Sequence, residues 1–111
     1  MVELFDLVCE VAEVTGNCVA NFKKGDTFVL GGSGTIDLKR SDQPEKLCYW
    51  ALSDLMPALL SLHLGHDPKE LGLSNETGVA YIRCSDPGPP YTPGGSALFR
   101  IRKSDTSVFW P

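Results

Sequence analysis

The ten residues Asp86-Pro87-Gly88-Pro89-Pro90-Tyr91-Thr92-Pro93-Gly94-Gly95 contain four prolines and three glycines. Proline fixes φ and has no backbone N–H, so neither a helix nor a central strand runs through this stretch. It must be a stiff connection between two regular elements. After it, Ala97–Arg102 alternates as a strand, with Ala97, Phe99 and Ile101 inward and Arg100 and Arg102 outward. Before it, Gly78–Cys84 also alternates, with Ala80, Ile82 and Cys84 on one face and Val79, Tyr81 and Arg83 on the other.

The same periodicity organises the N-terminal part. Residues 2–14 read as a long strand with Phe5, Leu7, Cys9 and Val11 on one side and Asp6 and Glu10 on the other. Gly16-Asn17 ends it, Lys23-Lys24-Gly25-Asp26 is a tight turn, and Thr27–Leu30 is a short strand. Gly31–Gly34 turns the chain into a further short strand at Thr35–Leu38. One segment is helical. Asp42 followed by Glu45 has the spacing of a capping box, with Pro44 in the first turn. Cys48, Leu52, Leu55, Leu59 and Leu62 then make one apolar stripe. Pro57 should kink this helix, and Gly65 should end it with His63 in its last turn. Asp67–Gly72 reads as a short helical turn. The predicted architecture is α+β: a small, mostly antiparallel sheet or half-open barrel of about five strands, with one main helix packed on it. Residues 1–104 form one domain and 105–111 a C-terminal tail.

A chain of 111 residues buries roughly two thirds of its unfolded surface, enough for one core. Ten Lys+Arg against fourteen Asp+Glu give a net charge of −4, which argues against nucleic acid as a partner. No apolar run approaches the ~20 residues of a membrane-spanning helix. The opening Met1-Val2-Glu3-Leu4 lacks a basic segment leading into a long apolar one, so the expected location is the cytoplasm, with reduced thiols.

Cys9, Cys18, Cys48 and Cys84 are spaced by 9, 30 and 36 residues, with no C-x-x-C pair. Cys48 on the helix and Cys84 on the inward face of its strand point toward one core, and Cys18 lies in the turn after the first strand. Three thiolates from three segments are one candidate site, suited to zinc, copper(I) or an iron–sulfur cluster. Buried cysteines acting as small apolar residues are the alternative. Thiol catalysis at Cys48 lacks a base, since His63 is about 22 Å further along the helix.

The proline-rich loop is a second candidate. Gly94 and Gly95 offer backbone N–H groups to an anion, Tyr91 an aromatic platform, and Asp86 a carboxylate that should accept backbone hydrogen bonds. Asp86, Tyr91, Gly94 and Gly95 are therefore the expected ligand-binding residues, and a stiff crossover between strands is the alternative. The loop lacks the lysine of a phosphate-binding P-loop. His63 and His66 read as a capping and a surface histidine rather than metal ligands. Asn75-Glu76-Thr77 matches a glycosylation sequon, which without secretion carries no meaning.

Four pieces occur in order: Val14-Thr15-Gly16-Asn17-Cys18, Gly25-Asp26-Thr27-Phe28, Cys48-Tyr49-Trp50-Ala51-Leu52 and Cys84-Ser85-Asp86-Pro87. Together they resemble a family of small prokaryotic conserved-hypothetical proteins with the pattern V-x-G-x-C, G-D-x-F, C-x-x-A-L and C-P-D-P, over residues 8–102. Ser85 departs from that pattern, where the family has proline. The resemblance implies that Cys18, Cys48 and Cys84 are motif residues and Cys9 is not. The expectation is a small accessory or binding protein with a three-cysteine metal or iron–sulfur site. The alternatives are an enzyme or ligand-binding domain with a pocket at Cys84, Asp86 and Tyr91, and a structural domain with buried thiols. Tyr49, Trp50, Phe109 and Trp110 find no place in the single core. The expected partners are therefore copies of the chain itself, as a homo-oligomer, or a larger redox enzyme.

Overall fold

The computed structural model describes residues 1–42 and 46–111. The elements run β1 (Val2–Gly16), β2 (Thr27–Leu30), β3 (Ile36–Asp42), α1 (Tyr49–His63), β4 (Val79–Arg83) and β5 (Gly95–Trp110). The chain has the α+β architecture its periodicities predict: the described residues form one open five-stranded sheet in the order β3-β2-β1-β5-β4, every pair antiparallel, with one helix on it. The sheet does not close, and β3 and β4 are its edges. No helix among the described residues is long and apolar enough to cross a membrane.

The core forms where the apolar faces of sheet and helix meet. Leu7, Cys9 and Val11 of β1, Phe28 and Leu30 of β2, and Ala97, Phe99 and Ile101 of β5 are all buried there. Ala51, Leu55, Leu59 and Leu62 of α1 close over them. Phe22, from the β1–β2 connection, fills one end, its ring edge-on to Phe99 at 5.6 Å and stacked on Phe28 at 6.3 Å. Arg100 and Arg102 are exposed, as the alternation of β5 requires.

Three expectations are corrected. The helix starts at Tyr49, with Cys48 as its N-cap, and not near Asp42. Asp42 is the last residue of β3 and pairs with Thr27; the rest of the expected capping box, with Pro44, falls outside the described residues. Residues 105–111 are not a tail, because β5 continues to Trp110, which pairs with Val2. The long β1 needs a partner along its N-terminal half, and β2 is too short to supply it. Asp6 does not face solvent but is buried, while Phe5 is only half-buried. The β1–β5 register shifts between Phe5 and Leu7, which breaks the simple alternation there. Pro57 lies inside α1, which runs on to His63; Pro57 and Ser53 are both exposed, so water can take the carbonyl that proline leaves unpaired.

Gly65 ends the helix as its sequence position predicts, with φ +86°. Its N–H reaches the Leu62 carbonyl and that of His66 the Ser61 carbonyl, the pair of bonds that closes a Schellman motif. His63 donates from Nδ1 to the Phe5 carbonyl at 2.6 Å, which ties the end of α1 to β1.

Candidate functional site

The four motif segments gather at one end of the sheet. Gly16, at the end of β1, pairs with Gly95 at the start of β5. The approach is so close that a Cβ on Gly95 would collide with the Thr15 carbonyl oxygen. Cys18 follows in a turn closed by the bond from the Asn21 N–H to the Cys18 carbonyl. Asp26 holds the preceding turn through its carboxylate, which accepts from the Lys23 N–H at 2.8 Å. Its backbone carbonyl takes the Val11 N–H. Cys84 leaves β4 with its N–H on the Ala97 carbonyl. The next residue, Ser85, donates to Asp54 Oδ2 of α1 at 2.9 Å, so the proline-rich loop is fastened to the helix. On the outer face Arg83 bonds both Glu13, at 2.7 Å, and Ser96.

Cys18, Cys48 and Cys84 are each partly buried and pack against the same apolar core, Cys48 from the N-cap of α1 and not from within its helical stripe. Among the described residues, however, no group of three or more His, Cys, Asp or Glu side chains is placed to hold a metal ion. Cys9 stands apart on β1, fully buried. Burial pushes its thiol pKa up to about 12.

The proline-rich loop is organised by Asp86. Its Oδ1 accepts from Thr92 Oγ1 at 2.5 Å and from the Gly88 N–H at 2.9 Å. The Thr92 bond first, and then the Gly88 bond, hold this carboxyl below the usual carboxylate range. Gly94 packs so tightly on Asp86 that any Cβ there would strike Oδ2. Of the expected ligand-binding residues, Asp86, Gly94 and Gly95 therefore make the internal contacts that shape the loop. Tyr91 is 81% exposed.

Among the described residues, two of the depressions along α1 border its outer face. An open cleft of about 740 Å³ lies at its N-terminal end, bordered by Cys48, Tyr49, Trp50, Asp26, Lys23 and Lys46. The second, of about 330 Å³, is strongly apolar and runs between α1 and the β2–β3 turn. Leu4, Leu30, Ile36, Met56, Leu60 and Trp110 contribute its walls. Between them lies the solvent face of α1. Tyr49, Met56, Leu60 and Leu64 recur there at helical spacing, and Tyr49 is 74%, Met56 60% and Leu60 65% exposed. Trp50, 63% exposed, meets Tyr49 edge-on at 5.7 Å.

The solvent exposure of Tyr49 and Trp50 follows from their position off the buried stripe. Met56 and Leu60 are the surface residues that the single-stripe reading missed. A second apolar series on the same helix, offset from Leu55, Leu59 and Leu62, was the signal available in the sequence. Compared with family models, with curated proteins and with solved structures, the chain matches none.

Proposed function

We propose that this chain is a small accessory, binding protein whose working surface is the outer face of α1 and the apolar groove beside it. One observation carries the reading: α1 is apolar on both sides. Its inner stripe is fully used by the core, yet Tyr49, Trp50, Met56 and Leu60 remain in solvent. A helix that is hydrophobic all round belongs in a buried setting, and contiguous exposed apolar surface on a small protein marks a contact site. The groove adds depth to that face, and aromatic side chains with methionine are the residue types enriched at interfaces. In this reading Cys18, Cys48 and Cys84 shape the end of the sheet from which α1 starts. The resemblance to small conserved-hypothetical proteins is compatible with such a role and adds no activity to it.

The test is an apolar fluorescent dye, anilinonaphthalene sulfonate, titrated onto the dilute chain and onto a Met56→Asp/Leu60→Asp double variant. Near-ultraviolet circular dichroism checks that both are equally folded. Saturable dye fluorescence on the native chain, lost in the variant, supports the surface. Equal fluorescence from both contradicts it.

A further inference from the structure

We infer that the occupant of this surface is a second copy of the same chain, packed about a two-fold axis with the two α1 helices antiparallel and face to face; this rests on the binding-surface reading above. Charge is the first reason. A two-fold axis brings each part of a patch close to its own equivalent, so a charged patch would repel itself. From Tyr49 to Leu64 the only ionisable side chains, Tyr49 apart, are Asp54 and His63. Both are engaged within the subunit, Asp54 by the Ser85 N–H and His63 by the Phe5 carbonyl. The chain carries a net charge of −4, yet the residues that make up the outer ridge of α1, Tyr49, Met56, Leu60 and Leu64, bring no carboxylate or ammonium against a copy of themselves.

Shape is the second reason. Met56 and Leu60 stand out from α1 and also form one wall of the groove, with Ile36 opposite and Trp110 contributing. A ridge beside a groove on one surface is self-complementary under a two-fold rotation, because the ridge of each copy enters the groove of the other.

Area is the third. A buried aromatic side chain covers roughly 150–250 Å², and Tyr49, Trp50 and Trp110 are all at least about half exposed. With Met56, Leu60 and Leu64 they form a face on the order of several hundred Å², the scale of the ~800 Å² per partner in a standard interface.

The experiment is sedimentation equilibrium on the full chain from submicromolar to about 100 μM. The native chain and Leu60→Asp are compared, with Tyr91→Asp as an exposed control away from α1. The expected result is a dimer in the native chain and the control. In Leu60→Asp the dissociation constant should rise about thirtyfold or more, as for loss of a central contact of an interface. Circular dichroism and thermal unfolding establish that Leu60→Asp is folded. A monomer throughout the range, or a dimer that Leu60→Asp leaves intact, overturns the proposal. If the native chain is monomeric, the dye titration separates the two failures. Dye bound at α1 keeps the binding surface and removes only the second copy, whereas no dye removes both.

Discussion

Arg40 on the edge strand β3 reaches Asp6 on β1, with Nη2 2.6 Å from Oδ2, although β2 lies between the two strands. Asp6 also accepts from Thr106 Oγ1 of β5 at 2.5 Å and from the Gly32 N–H at 2.8 Å. One buried carboxylate thus ties together three strands and the turn that borders the apolar groove.

Burial alone would raise the Asp6 pKa, but the bonds from Thr106, Gly32 and Arg40 and the charge of Arg40 outweigh it and hold the carboxyl below its ordinary range. A pKa lower in the folded than in the unfolded state means stability that is complete above the unfolded value of about 3.9. That stability is lost as pH falls through the lowered folded value. Asp6→Ala leaves the buried Gly32 N–H without its partner, at a cost of about 1–3 kcal/mol. Urea unfolding at neutral pH should show that loss, and the gap between native chain and variant should narrow in acid. A gap independent of pH would contradict the network.

The four cysteines should separate sharply in reactivity. Cys9 is fully buried with its thiol pKa raised to about 12, so almost no thiolate is present at neutral pH. Cys18, Cys48 and Cys84 are partly open to solvent. In a timed iodoacetamide reaction read by peptide mass spectrometry, Cys9 should be modified only when denaturant is added. Modification of Cys9 in the native chain at the rate of the other three would contradict its place in the core.

Asp86 should act as the organiser of its loop. With its pKa lowered by the Thr92 and Gly88 bonds, the contribution is present above the unfolded carboxylate value and fades as pH falls through the folded one. Asp86→Ala should lower the melting temperature and speed amide exchange at Gly88. Gly94→Ala should have a similar effect, because its Cβ would collide with the carboxylate. Unchanged exchange in both variants would show that the loop is held by something else.

Much of this fold is legible in the residues, for reasons that differ along the chain. Ala97, Phe99 and Ile101 alternate cleanly because one face of β5 meets the helix-covered core and the other meets water. Leu55, Leu59 and Leu62 give the helix away by their period. The end of β5 is not legible in this way. Lys103–Ser107 is polar, and the strand there is recruited by the N-terminal half of β1 across a shifted register. β3 is an edge strand whose residues are mostly exposed, so it shows no alternation, and its end at Asp42 mimics a helix cap. For the candidate site, the sequence patterns place Cys48 and Cys84 against one core, although Cys48 joins it as the N-cap and not from a position in the helical stripe. What they cannot reveal is side-chain geometry fine enough to decide whether three ligands meet.

The most direct test of the α1 surface uses the only two tryptophans in the chain, Trp50 and Trp110, both of which line the depressions beside that helix. Their emission and its quenching by acrylamide should be recorded across a dilution series of the native chain and of Leu60→Asp. The concentrated native chain should show blue-shifted, protected emission that turns red and quenchable on dilution, and Leu60→Asp should show red, quenchable emission at every concentration. Red, quenchable emission from the native chain at all concentrations, identical to that of the variant, would contradict the contact at α1.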